Sequence, residues 1–449
     1  MKRIIYSLAL ILLAGQPISA QGSKSTELSL QQCVQMAVEN NINVKSARID
    51  KEKSGDKNAE TRAALLPKIN FSGSFQDNLA LPTTVIPGAF LGQPGTDIAM
   101  QMGSQYNTSA SVSVSQVLYN RTALLALELT KESTTLSELS VEKASEEIAA
   151  QVASLYFLTL TTAEQQKLID ENIARTEKLK TITKVTVDNG IGKQVDLDRV
   201  SVNLENYYTQ QSNTQATHDQ QLNMMKYLLD IPQDHNITLT DKVDTLLLQT
   251  APVAMTDFSN HVDIKLLRSQ QEINKLNQKT IASGYLPTLN FSGLVAYQGL
   301  QSEFSDYFGS KNKWYPYSYF NVSLSVPLFD GFEKRSKSRQ AKLEYQKTQE
   351  KLESTKENFG MNYKNAMNNY MNNKNNVERQ KQNQKLAEKV YDETTLKYRE
   401  GLATMTNLLQ DEISLSNAQA GYLTALYNFK DAEVKIMSLN GDIKSLINK

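Results

Sequence analysis

The side chains of this chain that could carry chemistry are few and scattered. His218, His235 and His261 show no spacing that would hold a metal ion. There is no Gly-rich phosphate loop and no nucleophile elbow. The single cysteine, Cys33, cannot form an internal disulfide. Met361, Met367 and Met371 flank or lie in the Asn-rich stretch 362–376. Thioether sulfur favours Cu(I), but their spacing does not keep one helix face, and gap-filling is the plainer role. Carboxylates are plentiful, yet on polar helix faces they are solvated. These residues predict no enzyme, no cofactor and no metal site.

The residues with a special placement are glycines. Gly190-Ile191-Gly192 and Gly401-Leu402-Ala403 each close a stretch almost free of helix breakers. They are also two copies of one feature. Leu66-Pro67-Lys68-Ile69-Asn70-Phe71-Ser72-Gly73 returns as Leu286-Pro287-Thr288-Leu289-Asn290-Phe291-Ser292-Gly293. Val112-Ser113-Val114-Ser115-Gln116-Val117-Leu118-Tyr119-Asn120 returns as Val322-Ser323-Leu324-Ser325-Val326-Pro327-Leu328-Phe329-Asp330. The chain therefore reads as an internal duplication. Each half runs helix, strand, loop, strand, very long helix, Gly turn, helix.

The resulting plan is a signal peptide over 1–20 and a first repeat over 21–230. A connection between the repeats follows over 231–256, then a second repeat over 257–440 and a tail over 441–449. In the leader, Lys2 and Arg3 precede an apolar stretch from Ile4 to Leu13, and Ile18-Ser19-Ala20 forms a small-residue cleavage site. The apolar run is short for a membrane-spanning helix. The 449 residues carry 48 basic and 48 acidic side chains; losing Lys2 and Arg3 leaves 46 against 48, a net −2. Such balance gives no reason to expect nucleic acid as a partner. Cys33 sits on an amphipathic stripe with Leu28, Leu30, Val34, Ala37 and Val38. It does not follow a lipoprotein-type box, so no N-terminal lipid is expected.

Four segments, about 68–77, 108–118, 287–297 and 318–328, alternate with period two. Ile69, Phe71, Gly73 and Phe75 stand against Asn70, Ser72, Ser74 and Gln76; Ala110, Val112 and Val114 against Ser111, Ser113 and Ser115. Leu289, Phe291, Gly293, Val295 and Tyr297 stand against Asn290 and Ser292; Phe320, Val322, Leu324 and Val326 against Asn321, Ser323 and Ser325. The second set is small and uncharged, whereas a soluble sandwich carries charge on its wet face. An apolar face and a small polar face suit a membrane barrel with a watery lumen. Tyr106, Tyr119, Trp314, Tyr315, Tyr317, Tyr319 and Phe329 gather near the strand ends as an interfacial girdle requires. Four strands cannot close a barrel and open edges are not tolerated in lipid, so strands must be shared between chains. Three chains would supply about twelve. The connections from Leu79 to Gln105 and from Gln298 to Lys313 are expected to be extracellular loops.

From about Arg121 to Asp188 there is no proline or glycine, and from Phe332 to Glu400 only Gly360. Each stretch predicts a helix of about 100 Å. Shorter helices over about 195–230 and 405–440 follow the turns at about 189–194 and 401–404. The apolar seam is thin: Val141, Ala144, Ile148, Val152 and Leu155 in one copy, Phe359, Tyr363, Ala366 and Tyr370 in the other. A narrow seam with polar flanks means lateral packing with water on both sides, as in a hollow helical barrel or a solvated coiled coil.

This order resembles the TolC-type outer-membrane efflux proteins over essentially the whole mature chain. The most specific pieces are the paired Leu-Pro-x-x-Asn-Phe strand starts and Val326-Pro327-Leu328-Phe329-Asp330-Gly331, which resembles the family's strand-exit signature. The resemblance implies a homotrimer: a twelve-stranded outer-membrane barrel, four strands per chain, continued by a long periplasmic α-helical barrel. It further implies that a periplasmic adaptor, itself joined to an inner-membrane pump, docks on the paired helical turns. Here those turns contain Asn189, Gly190, Gly192, Gly401 and Leu402. It implies a closed tip held by polar links, one of which maps onto Tyr398 and Asp196. An arginine of related tips falls on Ala403 and is absent. Aspartates that narrow related tips fall on Asn407 and Gln410, with Asp411 adjacent, so the constriction is expected to be less anionic. The expected function is a passive exit duct for small molecules. A pore-less adhesive coiled-coil surface protein is the competing reading, and a soluble adaptor with a helical hairpin a third. Strand alternation favours the duct.

Overall fold

A computed structural model describes residues 26–92, 94–242, 257–309 and 312–447. The signal peptide expected over 1–20 lies outside the described residues, as do 243–256 of the connection and 448–449 of the tail. In chain order the elements are β1 (Thr26–Leu28), α1 (Leu30–Asn40), α2 (Ile42–Ala63), β2 (Lys68–Asp77), β3 (Thr83–Pro87), β4 (Asp97–Gln101) and β5 (Tyr106–Tyr119). Then come α3 (Arg121–Asp188), α4 (Gln194–Leu229), β6 (Ile237–Leu239), α5 (Val262–Ser283), β7 (Thr288–Gln301) and β8 (Trp314–Ser325). The chain ends with α6 (Glu333–Arg399), α7 (Met405–Asn440) and α8 (Lys444–Ile447). They fall into two compact units, one spanning Lys45–Ala144 and Met255–Met361, the other Met1–Val44, Ser145–Ala254 and Asn362–Lys449.

The first unit holds an antiparallel sheet in the order β2-β5-β7-β8. Its register sorts the side chains into two chemical sets. Phe71 lies opposite Val112, Val112 opposite Val295, and Phe291 opposite Val322. Opposed residues share a face, so Ile69, Phe71, Val112, Val114, Leu289, Phe291, Val322 and Leu324 form one apolar surface. On the reverse face Ser72 meets Ser111, Ser292 meets Asn321, and the hydroxyls of Ser74 and Ser109 are 2.8 Å apart. Phe71 is 74% exposed and Phe320 80%. Side chains of that size left uncovered on a sheet face require an apolar solvent. Among the described residues β2 and β8 are edges, each paired on one side only.

Period two also corrects the aromatic girdle. Trp314 pairs with Gly299 and shares the apolar face, but Tyr315, Tyr317 and Tyr319 pair with Gln298, Ala296 and Leu294 on the Ser/Asn face. A bulge between Val117 and Tyr119 turns Tyr119 to the apolar side opposite Leu289. Beside Trp314, the apolar rim holds Phe75 stacked on Tyr106 at 6.1 Å, with Phe304 and Tyr307 packed around them. Phe304 and Tyr307 belong to a short 3-10 helix, Phe304–Phe308, inside the expected second loop. Thr108 donates to the Tyr307 hydroxyl at 2.7 Å and secures it. The first loop likewise contains structure, a hairpin of β3 with β4.

In the second unit α1 starts with a capping box: the Ser29 hydroxyl accepts from Gln32 N–H and the Gln32 side chain returns to Ser29 N–H. It buries Leu30, Cys33, Val34, Ala37 and Val38. A parallel pair, β1 with β6, lies beside it. Tyr156 ties the two together, donating to Leu28 O at 3.1 Å and to Asp241 Oδ2 at 2.8 Å, and Asp241 Oδ2 also accepts from Leu30 N–H. The connection that follows Asp230 thus packs with β1 and α1 from the start of the described chain. The seam of α3 differs by one position from the expected beat. Ile148, Val152, Tyr156 and Phe157 are buried, while Leu155 is only half-buried. A true 3.6-residue helix drifts from a strict heptad, which brings Tyr156 inward instead.

Candidate gate at the helical tip

Each long helix of the second unit ends in a turn that its sequence requires. Gly190 has φ 74° and Gly401 φ 76°, the left-handed region that L side chains avoid. Gly192 has a different reason: a Cβ there would lie 2.8 Å from Thr186 Oγ1 and 3.0 Å from Val187 N. The turn closes with Ile191 N–H and Gly192 N–H both donating to Thr186 O, at 3.0 and 2.9 Å. At the other turn Leu402 N–H donates to Lys397 O at 2.8 Å. Each apex displays an apolar side chain, Ile191 84% and Leu402 75% exposed. Leu402 belongs to the expected docking set with Asn189, Gly190, Gly192 and Gly401; Ile191 is an addition.

Behind the turns, Val200 of α4 packs with Met405, Leu408 and Leu409 of α7, and Leu179, Tyr391 and Tyr398 lie against them. Asp196 stands in the first turn of α4, where a carboxylate favours the helix dipole. Its ion-pair partner is Arg199, 3.2 Å away, and Arg199 donates onward to Thr406 Oγ1 at 3.0 Å. Position 403 is alanine, and the arginine beside Asp196 comes from α4, one turn further on. Both side chains are partly exposed, so the pair contributes about 0–1 kcal/mol. The Tyr398 hydroxyl lies near the Thr183 side chain, which donates to Leu179 O, and makes no hydrogen bond to Asp196. Burial pushes its phenol up, the polar Thr183 side chain opposes this, and the Asp196 charge adds to it. Asp196 and Tyr398 therefore sense each other within one chain without a direct hydrogen bond.

Of the remaining predicted gate residues, Asn407 is folded into the cap of α7, its Oδ1 accepting from Thr404 Oγ1 at 2.7 Å. Gln410 is exposed and Asp411 half-buried. The carboxylate that the tip buries is the next one, Glu412, 2% exposed. It falls on the inward stripe of Leu408, Leu415 and Gln419, a phase the sequence already shows. Glu412 Oε1 accepts from Thr176 Oγ1 at 2.7 Å and Oε2 from Asn203 Nδ2 at 3.1 Å. Burial raises its pKa, opposed first by Thr176, then by the Arg175 charge and by Asn203. The Arg175 guanidinium lies 5.8 Å from the Tyr391 ring centroid and donates to Asn172. Among the described residues no group of three or more His, Cys, Asp or Glu side chains is placed to hold a metal.

A sheet apolar on one face and Ser/Asn-lined on the other, with edges that only further strands can close, defines a strand-spanning membrane channel. The chain belongs to the outer membrane efflux protein family, whose pattern it matches over residues 33–229 and 265–442. It is 21% identical over 470 residues to the outer membrane protein TolC of Escherichia coli (strain K12), covering 96% of this chain and 86% of that one. Its fold resembles CusC, solved in work on transmembrane channel formation (TM-score 0.75, 15% identity, 92% of this chain and 91% of that one). It also resembles the open state of the Neisseria gonorrhoeae MtrE outer membrane channel (TM-score 0.75, 17% identity, 92% and 88%). The Campylobacter jejuni CmeC outer membrane channel is a third (TM-score 0.74, 16% identity, 92% and 85%). The family fold is a homotrimer in which four strands per chain build one β-barrel, continued by an α-helical barrel. The protein is a passive outer-membrane channel that extends into the periplasm, not an enzyme.

Proposed function

We propose that this channel is the exit duct of a tripartite efflux system, engaged by a periplasmic adaptor on its helical turns and driven by an inner-membrane pump. The observation that carries the reading is the pair of equivalent turns with Ile191 and Leu402 exposed at their apices. Two apolar knobs in a polar setting suit a protein partner. Asn189, Gly190, Gly192, Gly401 and Leu402 form the docking surface. Asp196 and Tyr398 brace the closed tip, with Arg199 and Thr406 linking α4 to α7. Asn407, Gln410 and Asp411 line the constriction. With only Asp411 charged among these three, each chain contributes one carboxylate, and cation selectivity is weaker than a fully acidic ring would give. A lumen of Ser and Asn discriminates little, which suits small molecules selected by the pump. The domain plan of two repeats around an equatorial connection belongs to the same proposal.

The test is single-channel current from the purified protein in a planar bilayer, beside a Tyr398→Phe/Asp196→Ala double variant. Current that rises in the variant supports a tip braced by these residues. Equal current from both forms refutes that gate assignment.

A further inference from the structure

Resting on the duct reading, we infer that Glu412 is the positioning residue of the gate, a buried clamp that holds α7 against α3 and α4 and sets the tip at rest. The argument begins with cost. A carboxylate buried to 2% exposure in a helix bundle loses most of its hydration, and Leu or Met would fill that stripe more stably. Its two oxygens instead reach two different helices, Thr176 of α3 and Asn203 of α4. The surrounding network is only partly satisfied: Arg175 Nε and Gln419 Oε1 are buried without a hydrogen-bond partner among the described residues. Such a knot specifies position at the expense of stability, and it breaks as a unit.

Its placement couples it to the tip. Glu412 follows Thr406, the residue that Arg199 ties to α4, on the same helix. α7 cannot swing from α3 without breaking the Thr176 bond. A groove of about 390 Å³ between α4 and α7, lined by Val195, Arg199, Val202, Asn203, Leu409 and Ile413, reaches the Asn203 end of the clamp. Widening that groove brings water to the carboxylate.

The groups facing Glu412 are Arg175 from α3, Tyr207 from α4 and Tyr391 from α6. Burial and then the Glu412 charge push both phenols up, Tyr207 to about 12, so they stay neutral. Glu412 is thus the group among them whose proton affinity changes most between a buried and a hydrated setting, because burial is the first cause of its raised pKa. In the clamped state its pKa is raised; in an opened, hydrated state it returns toward the ordinary carboxylate value. The clamped state therefore binds the proton more tightly. Acidification favours clamping, and the preference fades as pH rises from the hydrated value through the raised one. One site per chain shifts the closed-to-open ratio by up to about tenfold per pH unit in that window.

The experiment compares wild type, Glu412→Gln, Glu412→Ala and Thr176→Val as purified full-chain trimers in planar bilayers at about pH 7.5 and about pH 4.5. Wild-type current should fall severalfold on acidification. Glu412→Gln, neutral yet still able to accept from Thr176, should give low current with a flat pH profile. Glu412→Ala and Thr176→Val should raise current at the higher pH. If Glu412→Ala yields no trimer, Thr176→Val decides the point. A Glu412→Gln profile identical to wild type overturns the inference, as does Thr176→Val current equal to wild type. No current from any form, wild type included, overturns the duct reading itself and is distinguishable on that ground.

Discussion

Lysine at Val112 should prevent the trimer from forming, whereas lysine one residue earlier, at Ser111, should be tolerated. Val112 lies midway along β5, flanked on the apolar face by Phe71 and Val295. If that face meets lipid, a charge there sits near the bilayer midplane and costs about 2–4 kcal/mol per chain. Three symmetric copies bring this to about 6–12 kcal/mol per trimer, comparable with the whole stability of a typical domain, about 5–15 kcal/mol. Ser111 lies on the reverse face between Ser72 and Ala296. Small neighbours leave room for a longer side chain in a watery lumen, and the cost there is within about 0.5 kcal/mol. The assay is the yield of heat-resistant trimer after refolding each variant into lipid vesicles, with urea titration of whatever assembles. Equal losses in both variants, or a larger loss in Ser111→Lys, would refute the assignment of faces and with it the closure argument.

Cys33 is fully buried, and desolvation pushes its thiol up to about 12; alkylation at mildly alkaline pH should be absent in the native protein and complete in denaturant, as read by intact mass. Tyr156→Phe removes the donor shared by Leu28 O and Asp241 and should cost about 1–3 kcal/mol in denaturant titration, with a wild-type value showing that the β1–β6 junction does not stabilise the fold. Asp330 accepts from the N–H groups of Phe332 and Lys334 at the start of α6, and the Lys334 backbone bond, ahead of its charge, holds the carboxyl below its usual range. Its contribution is therefore present above the ordinary carboxylate value and lost as pH falls through the depressed one. The Tm difference between wild type and Asp330→Asn should shrink in strong acid, and a difference independent of pH would contradict the cap.

The fold class was legible because two periodicities are clean. Alternation in Phe71-Ser72-Gly73 and Val112-Ser113-Val114 needs no partner to be read, and neither does a breaker-free run from Arg121 to Asp188. Tyr315, Tyr317 and Tyr319 follow strand parity, not aromatic type: counting back from Asn321 puts all three on the polar side. β1 is three residues long and shows no period, so only its pairing with β6 reveals it. At the tip, the resemblance points to Asp196, Tyr398, Asn407, Gln410 and Asp411, but not to Arg199, Thr406 or Glu412. Their roles depend on which helix faces which, and on helices polar nearly all round the phase is weakly marked. Glu412 alone had a readable sign, an acid among Leu408, Leu409 and Leu415.

The central claim is that three chains close one water-filled pore. It is tested most directly by adding the purified wild-type trimer to one side of a planar bilayer and recording current steps, with neutral polymers of graded size as blockers. The account predicts discrete, uniform steps that only polymers small enough to enter the lumen reduce. A heat-resistant trimer that inserts into the bilayer yet carries no current, in the wild type and in the Tyr398→Phe/Asp196→Ala variant alike, would contradict it.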